Sequence, residues 1–152
     1  MFRRLLLLIG LFIITFPLLA QFDTADYRWD LIDVAFSYPV SWDEPFPVQR
    51  FGVESLILAE SDTRNPERAP EIPLIILALH PAENTDITTI LQERIAEIDI
   101  QPSITIPANL LDQSAMWAQG NSRDGAFFGI GMSLEFGDNN LSIVGRSPRQ
   151  VI

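Results

Sequence analysis

Apolar and polar side chains alternate with period two through most of this chain beyond its first twenty residues. Within 31–40, Val34, Phe36 and Tyr38 alternate with Ala35 and Ser37, which predicts a strand ended by Pro39. A second strand is predicted over 51–60, with Val53, Ser55, Ile57 and Ala59 on one face and Glu54, Leu56, Leu58 and Glu60 on the other. Between them, 41–47 holds Pro45 and Pro47, which cannot donate to a ladder, so an irregular crossing is expected. Residues 61–73 carry turn formers and charges of alternating sign, a loop pattern. Residues 74–80 read Leu-Ile-Ile-Leu-Ala-Leu-His, and an apolar run this short predicts a strand covered on both faces.

The period then changes. Ile87, Ile90, Leu91, Ile95 and Ile98 recur at helical spacing, while Gln92, Glu93, Arg94 and Glu97 take the other side. Asn84-Thr85-Asp86 offers an N-cap, so a single-stripe helix is predicted over 86–98, packed on a sheet face. Alternation returns at 103–111, at 114–120 around Trp117, and most strongly at 125–136. There Phe128, Ile130, Met132, Leu134 and Phe136 share a face. Gly137-Asp138-Asn139-Asn140 predicts a hairpin turn, with 141–145 as the returning strand. Residues 21–32 show no clear period and read as a lead-in. Together these elements predict an α+β domain: an antiparallel β-sheet with helices packed on its faces.

The first twenty residues follow another logic. Arg3 and Arg4 precede an apolar run from Leu5 to Ala20, the charged-then-apolar order of an export signal. As a helix the run reaches about 24 Å, short of the roughly 30 Å hydrocarbon core. Pro17 breaks it, and cleavage is expected between Ala20 and Gln21; the alternative is an uncleaved anchor. The expected location is therefore secreted, periplasmic or cell-envelope, with membrane contact only if the signal stays on. No cysteine follows the run, so lipid attachment at the cut is excluded.

The chain carries 20 acidic and 10 basic residues for a formal charge of −10. Loss of Arg3 and Arg4 would leave 8 basic residues and a charge of −12. Such a surface repels nucleic acid and anionic lipid and suits a basic partner. With no cysteine, thiol chemistry and cysteine metal sites are impossible.

Residues Tyr38-Pro39-Val40-Ser41-Trp42 resemble the Tyr-Pro-x-x-Trp opening of bacterial PsbP-like domains, and the order of elements after them is similar to that family. The resemblance implies a Mog1/PsbP-like α/β/α sandwich over 33–152, following a signal at 1–20 and a lead-in at 21–32. It also implies a C-terminal helix beginning near Ile152, so that the chain is either truncated or lacks this helix. The family spans photosystem II extrinsic subunits, a nuclear-transport regulator and many exported bacterial proteins, so fold transfers better than function.

No residue pattern points to catalysis, a cofactor or a metal. His80 is the only histidine. No serine sits in a Gly-x-Ser-x-Gly elbow. Gly129 and Gly131 lie inside a strand pattern and are expected to admit a close neighbour, Trp117 or the helix. Asp23, Asp26, Asp30 and Asp33, with Asp43 and Glu44, lack calcium-loop spacing and read as a solvated face. Tyr38, Trp42 and Phe46 form the candidate partner-binding patch. The expected function is an exported, non-catalytic binding domain whose partner is an unidentified envelope or extracellular protein. The alternatives are an enzyme with a dispersed carboxylate site or a carrier of a small apolar ligand.

Overall fold

A computed structural model describes residues 23–60, 73–82, 86–110 and 112–149. The export signal and its cut, most of the 61–73 loop, Asn84, Thr85, Leu111 and the last three residues lie outside the described residues. The chain divides into two compact units at Asp43/Glu44.

In the first unit, β1 (Thr24–Trp29) pairs antiparallel with β2 (Val34–Pro39), with Trp29 opposite Val34 and Thr24 opposite Pro39. The segment expected as a lead-in is thus a strand. Ala25, Tyr27 and Trp29 alternate with Thr24, Asp26 and Arg28, a two-residue period that charge made easy to overlook. Trp29, Val34 and Phe36 are buried. The Tyr27 and Phe36 rings lie 5.7 Å apart across the pair. On the other face, Ser37 Oγ donates to Asp26 at 2.7 Å, and Arg28 pairs with Asp30 and Asp33.

Among its described residues the second unit has a seven-stranded antiparallel sheet and one helix. Its elements are β3 (Phe46–Arg50), β4 (Val53–Ala59), β5 (Leu74–Pro81), α1 (Ile87–Glu97), β6 (Ile100–Leu110), β7 (Gln113–Ser122), β8 (Phe127–Phe136) and β9 (Asn139–Pro148). Across the sheet the strands run β3-β4-β5-β9-β8-β7-β6. Two-residue loops close hairpins at Phe51-Gly52 and Gly137-Asp138.

The segment 41–47, expected as an irregular crossing, is irregular through Pro45 and enters β3 at Phe46 and Pro47. A proline fits a ladder only where its nitrogen is turned away from the neighbour, and β3 is an edge strand. Arg50 pairs with Val53 across a two-residue loop, so Arg50, Val48 and Phe46 exchange hydrogen bonds with β4. Pro47 then points outward.

Asp86 caps α1. Its carboxylate accepts from the backbone N–H groups of Thr88 and Thr89 at 2.9 and 3.0 Å and from the Thr89 hydroxyl at 2.7 Å. Those bonds, the Thr89 hydroxyl first, hold the carboxyl below its usual range. Along the stripe Ile90 is buried, and Leu91, Ile95 and Ile98 form one core with Ile57, Ala59, Leu74, Ile76, Ala118 and Val144 of the sheet. Each such side chain contributes roughly 1.5–3 kcal/mol. At the helix end, the buried Arg146 guanidinium donates to the Ile98 carbonyl at 3.0 Å and lies over the Phe127 ring.

The expected α/β/α sandwich with helices on the sheet faces is corrected by this architecture. The described residues are mostly strand, in two antiparallel sheets, with one helix on one face of the larger sheet. The doubly apolar run 74–80 does lie mid-sheet, as β5 between β4 and β9. An apolar run records that both faces are buried; it does not say that a helix buries them.

Candidate interaction surface

The three aromatic residues singled out in the sequence fall on both sides of the unit boundary. Tyr38 and Trp42 belong to the first unit and Phe46 to the second. All three are half-buried. Phe46 packs against the core beneath α1, so part of its ring already serves the fold.

His80 pairs with Asn140 in register and is buried. Its Nε2 lies 2.9 Å from Ser142 Oγ. Burial, then the charge of Arg94, lowers its pKa from 6.5 to about 4, so the ring is neutral at pH 7. A serine beside a neutral imidazole is the start of a nucleophile–base pair. Ser142, however, is only 1% exposed and gives no access to a substrate. Its hydroxyl also reaches the Ala78 carbonyl at 3.4 Å. The pair is an internal hydrogen-bonded bracket between β5 and β9.

Above it, Arg94 donates to Glu97 Oε2 at 2.8 Å. Arg50 lies 2.7 Å from Glu97 Oε1, an ion pair in distance without hydrogen-bond alignment. Both guanidiniums lie 5.9 Å from the Phe51 ring, which is 78% exposed. Phe51 has φ 51° and Gly52 φ 76°, so the hairpin tip needs two left-handed residues and uses an aromatic for one. The ring covers this charge cluster and so has a local use.

Gly131 faces α1: a Cβ there would sit 2.8 Å from Leu91 Cδ1 and 3.4 Å from Ile95 Cδ1. Gly129 gives the same room to Ile100. The pair thus admits the helix and its exit, not a phosphate. The acidic residues of 23–33 line a hairpin, and no group of three or more metal-ligating side chains forms among the described residues.

The feature that sequence reasoning missed is on β6. Ile100 and Pro102 follow the helix side of the sheet, because Pro102 pairs with Gly120 and Gly120 with Gly129. The register then slips between Pro102 and Ile104. One extra residue, Ser103, reverses every side chain beyond it. Ile104 and Ile106 therefore lie on the face away from α1, opposite Gln119 and Trp117. Ser103 Oγ donates to the Gln119 carbonyl at 3.3 Å, and Gly120 leaves room for the displaced Gln101 backbone.

That second face is apolar across the sheet, through Leu56, Leu58, Ile75, Leu77, Leu141, Ile143, Ile130, Met132 and Leu134, all buried. At its β6 end it is open. Ile104 is 43% exposed and Ile106 48%, with Trp117 half-buried opposite Ile106; Phe128, opposite Asn121 on β8, is 37% exposed. Charge is nearly absent there: Asp112 is the one charged residue between Ile100 and Ser122, in a chain of formal charge −10. The missing charge was readable in the sequence; the shared face was not, because the bulge creates it.

No family model matches the chain, and no curated protein matches it. Among solved structures it is similar to the solution structure of cyanobacterial PsbP (CyanoP) from Synechocystis sp. PCC 6803. That likeness has a TM-score of 0.53 at 10% identity, over 86% of this chain and 84% of that one. It is also similar to a protein of unknown function, PA94 from Pseudomonas aeruginosa, described as a putative regulator. The TM-score there is 0.40 at 12% identity, over 82% and 83% of the two chains. The likeness to CyanoP shows a PsbP-like fold.

Proposed function

We propose that this chain is an exported, non-catalytic binding domain of the PsbP-like group, and that it contacts a protein of the envelope or extracellular space through the β6 end of its apolar sheet face. The observation that carries the reading is the exposed pair Ile104 and Ile106 beside Trp117 on a hairpin almost without charge, with Phe128 exposed on the same face of β8. Exposed apolar side chains on a sheet, with an aromatic beside them, are the composition of an interface core. The Tyr38-Pro39-x-x-Trp42 opening and the likeness to CyanoP support the group. The Arg3-Arg4 and apolar order supports export.

A photo-crosslinker placed at Ile106 in the producing cell tests the binding reading. A discrete adduct, competed by excess unlabelled protein and absent with the crosslinker at exposed Glu93, is expected. An adduct pattern identical at both positions refutes the assignment. Export is tested separately by N-terminal sequencing: Gln21 as first residue is expected, and Met1 on a membrane-bound product refutes cleavage.

A further inference from the structure

The same surface, read against the charge of the whole chain, narrows the partner. This step rests on the proposed binding role. We infer that the β6 face takes a basic protein that presents apolar side chains on a surface element, docking face-on and not as an added strand.

Three observations lead there. The first is charge. A chain of formal charge −10 repels a second copy of itself and anionic lipid, and attracts a cationic partner over roughly a Debye length of 8–10 Å. The second is where that attraction can end in contact. Burying a carboxylate is costly, so an acidic protein docks best where it carries no carboxylate. Ile104, Ile106 and Trp117 offer such ground, since the charged group of the β6–β7 hairpin, Asp112, lies in its turn. The third concerns approach. Leu110 pairs with Gln113 across a two-residue loop, so Leu110, Ala108, Ile106 and Ile104 bond inward to β7. Thr105, Pro107 and Asn109 face outward, and Pro107 has no N–H to offer. A strand added at this edge would lose a ladder bond at its centre, whereas a side-chain cluster laid on the face loses nothing.

The test uses two probes against the full exported chain, isotope-labelled for amide spectra. One is an amphipathic helical peptide of leucine and lysine; the other is its leucine–glutamate counterpart. The lysine peptide is expected to shift amides around Ile104, Ile106, Trp117 and Phe128, with affinity that falls as salt rises. Ile106→Ser, and separately Ile104→Ser, should weaken it at least tenfold with circular dichroism unchanged. If both peptides bind this face equally, partner charge does not choose and the inference fails while the binding role stands. If the lysine peptide shifts other residues and ignores both substitutions, the attraction is adventitious and the inference is overturned. A dimer in sedimentation equilibrium that Ile106→Ser dissolves would place a second copy there and overturn it as well. Failure of both peptides together with failure of the Ile106 crosslink would remove the binding role itself.

Discussion

At the scale of single residues, two buried positions dominate. His80 is held neutral by burial and by Arg94, its pKa lowered to about 4 from an unfolded value near 6.5. The folded state therefore binds the proton more weakly than the unfolded chain. Its contribution is complete above pH 6.5 and is lost as pH falls from there toward 4, at up to about 1.4 kcal/mol per pH unit. Urea melts at pH 7.5, 5.5 and 4.5 should show that loss, about 2–3 kcal/mol in all, and His80→Gln should flatten it; equal slopes for both proteins would refute the account. Gly129 is the second position. A methyl added there meets Ile100, so Gly129→Ala should cost about 1–3 kcal/mol. Adding Ile100→Ala should recover part of that loss despite deleting core. A double-mutant cycle in which the two costs simply add would show that Ile100 is not the obstacle. The sequence places both glycines inside a strand, but only the helix packing says why they are glycines.

Among the elements, α1 is tied at both ends by side chains far apart in sequence, Asp86 at its start and Arg146 at its end. Arg146 donates to a helix C-terminal carbonyl, where a cation is favoured by the dipole as well as by the hydrogen bond. Arg146→Met should cost about 2–3 kcal/mol and raise amide exchange at Ala96–Ile98 before the rest of the sheet opens. Uniform loss of protection would argue against a local role. The elements differ in how clearly the sequence showed them. β4, β5, β8 and α1 carry unbroken apolar faces, and their period can be read directly. β3 was hidden because edge geometry admits Pro47, and because its turn is Phe51-Gly52 where Asn-Gly would have been a clear signal. β1 was hidden by the charges of Asp26 and Arg28. The bulge at Ser103 has no side-chain signature, and the candidate site depends on it. Ile104 and Ile106 alternate the same way whichever face they take, and only the slipped register sets them beside Trp117. The pattern thus revealed most of the core and none of the site. For the same reason, Gly120→Ala should disturb the site more than its size suggests. Its methyl would overlap the Gln101 carbonyl, so loss of stability together with loss of the Ile106 crosslink is expected.

For the molecule as a whole, the two edges of the seven-stranded sheet matter, because an unpaired edge can add a second chain. Cysteine is absent, so covalent staples cannot supply the stability that small exported domains often draw from them. The net charge helps by keeping copies apart at long range. It cannot protect β6, where seven consecutive residues from Gln101 to Pro107 are exposed and uncharged. An exposed, uncharged edge of that kind invites pairing with another chain. The outward rows of both sheet edges, however, contain a proline: Pro47 beside Gln49 on β3, and Pro107 between Thr105 and Asn109 on β6. Each removes one donor from the row a second chain would need. These prolines lower strand propensity at positions that make no inward bond, and each weakens its edge as a template for a second chain. Pro107→Thr should leave the melting temperature within a few degrees of the parent, because the position makes no inward bond. It should also raise self-association, seen as growth of the light-scattering mass with concentration, more steeply at high salt where the long-range repulsion is screened. Adding Pro47→Thr should steepen the dependence by opening the second edge. A double variant that stays monomeric at high salt would show that charge alone, and not the prolines, keeps the sheet from extending.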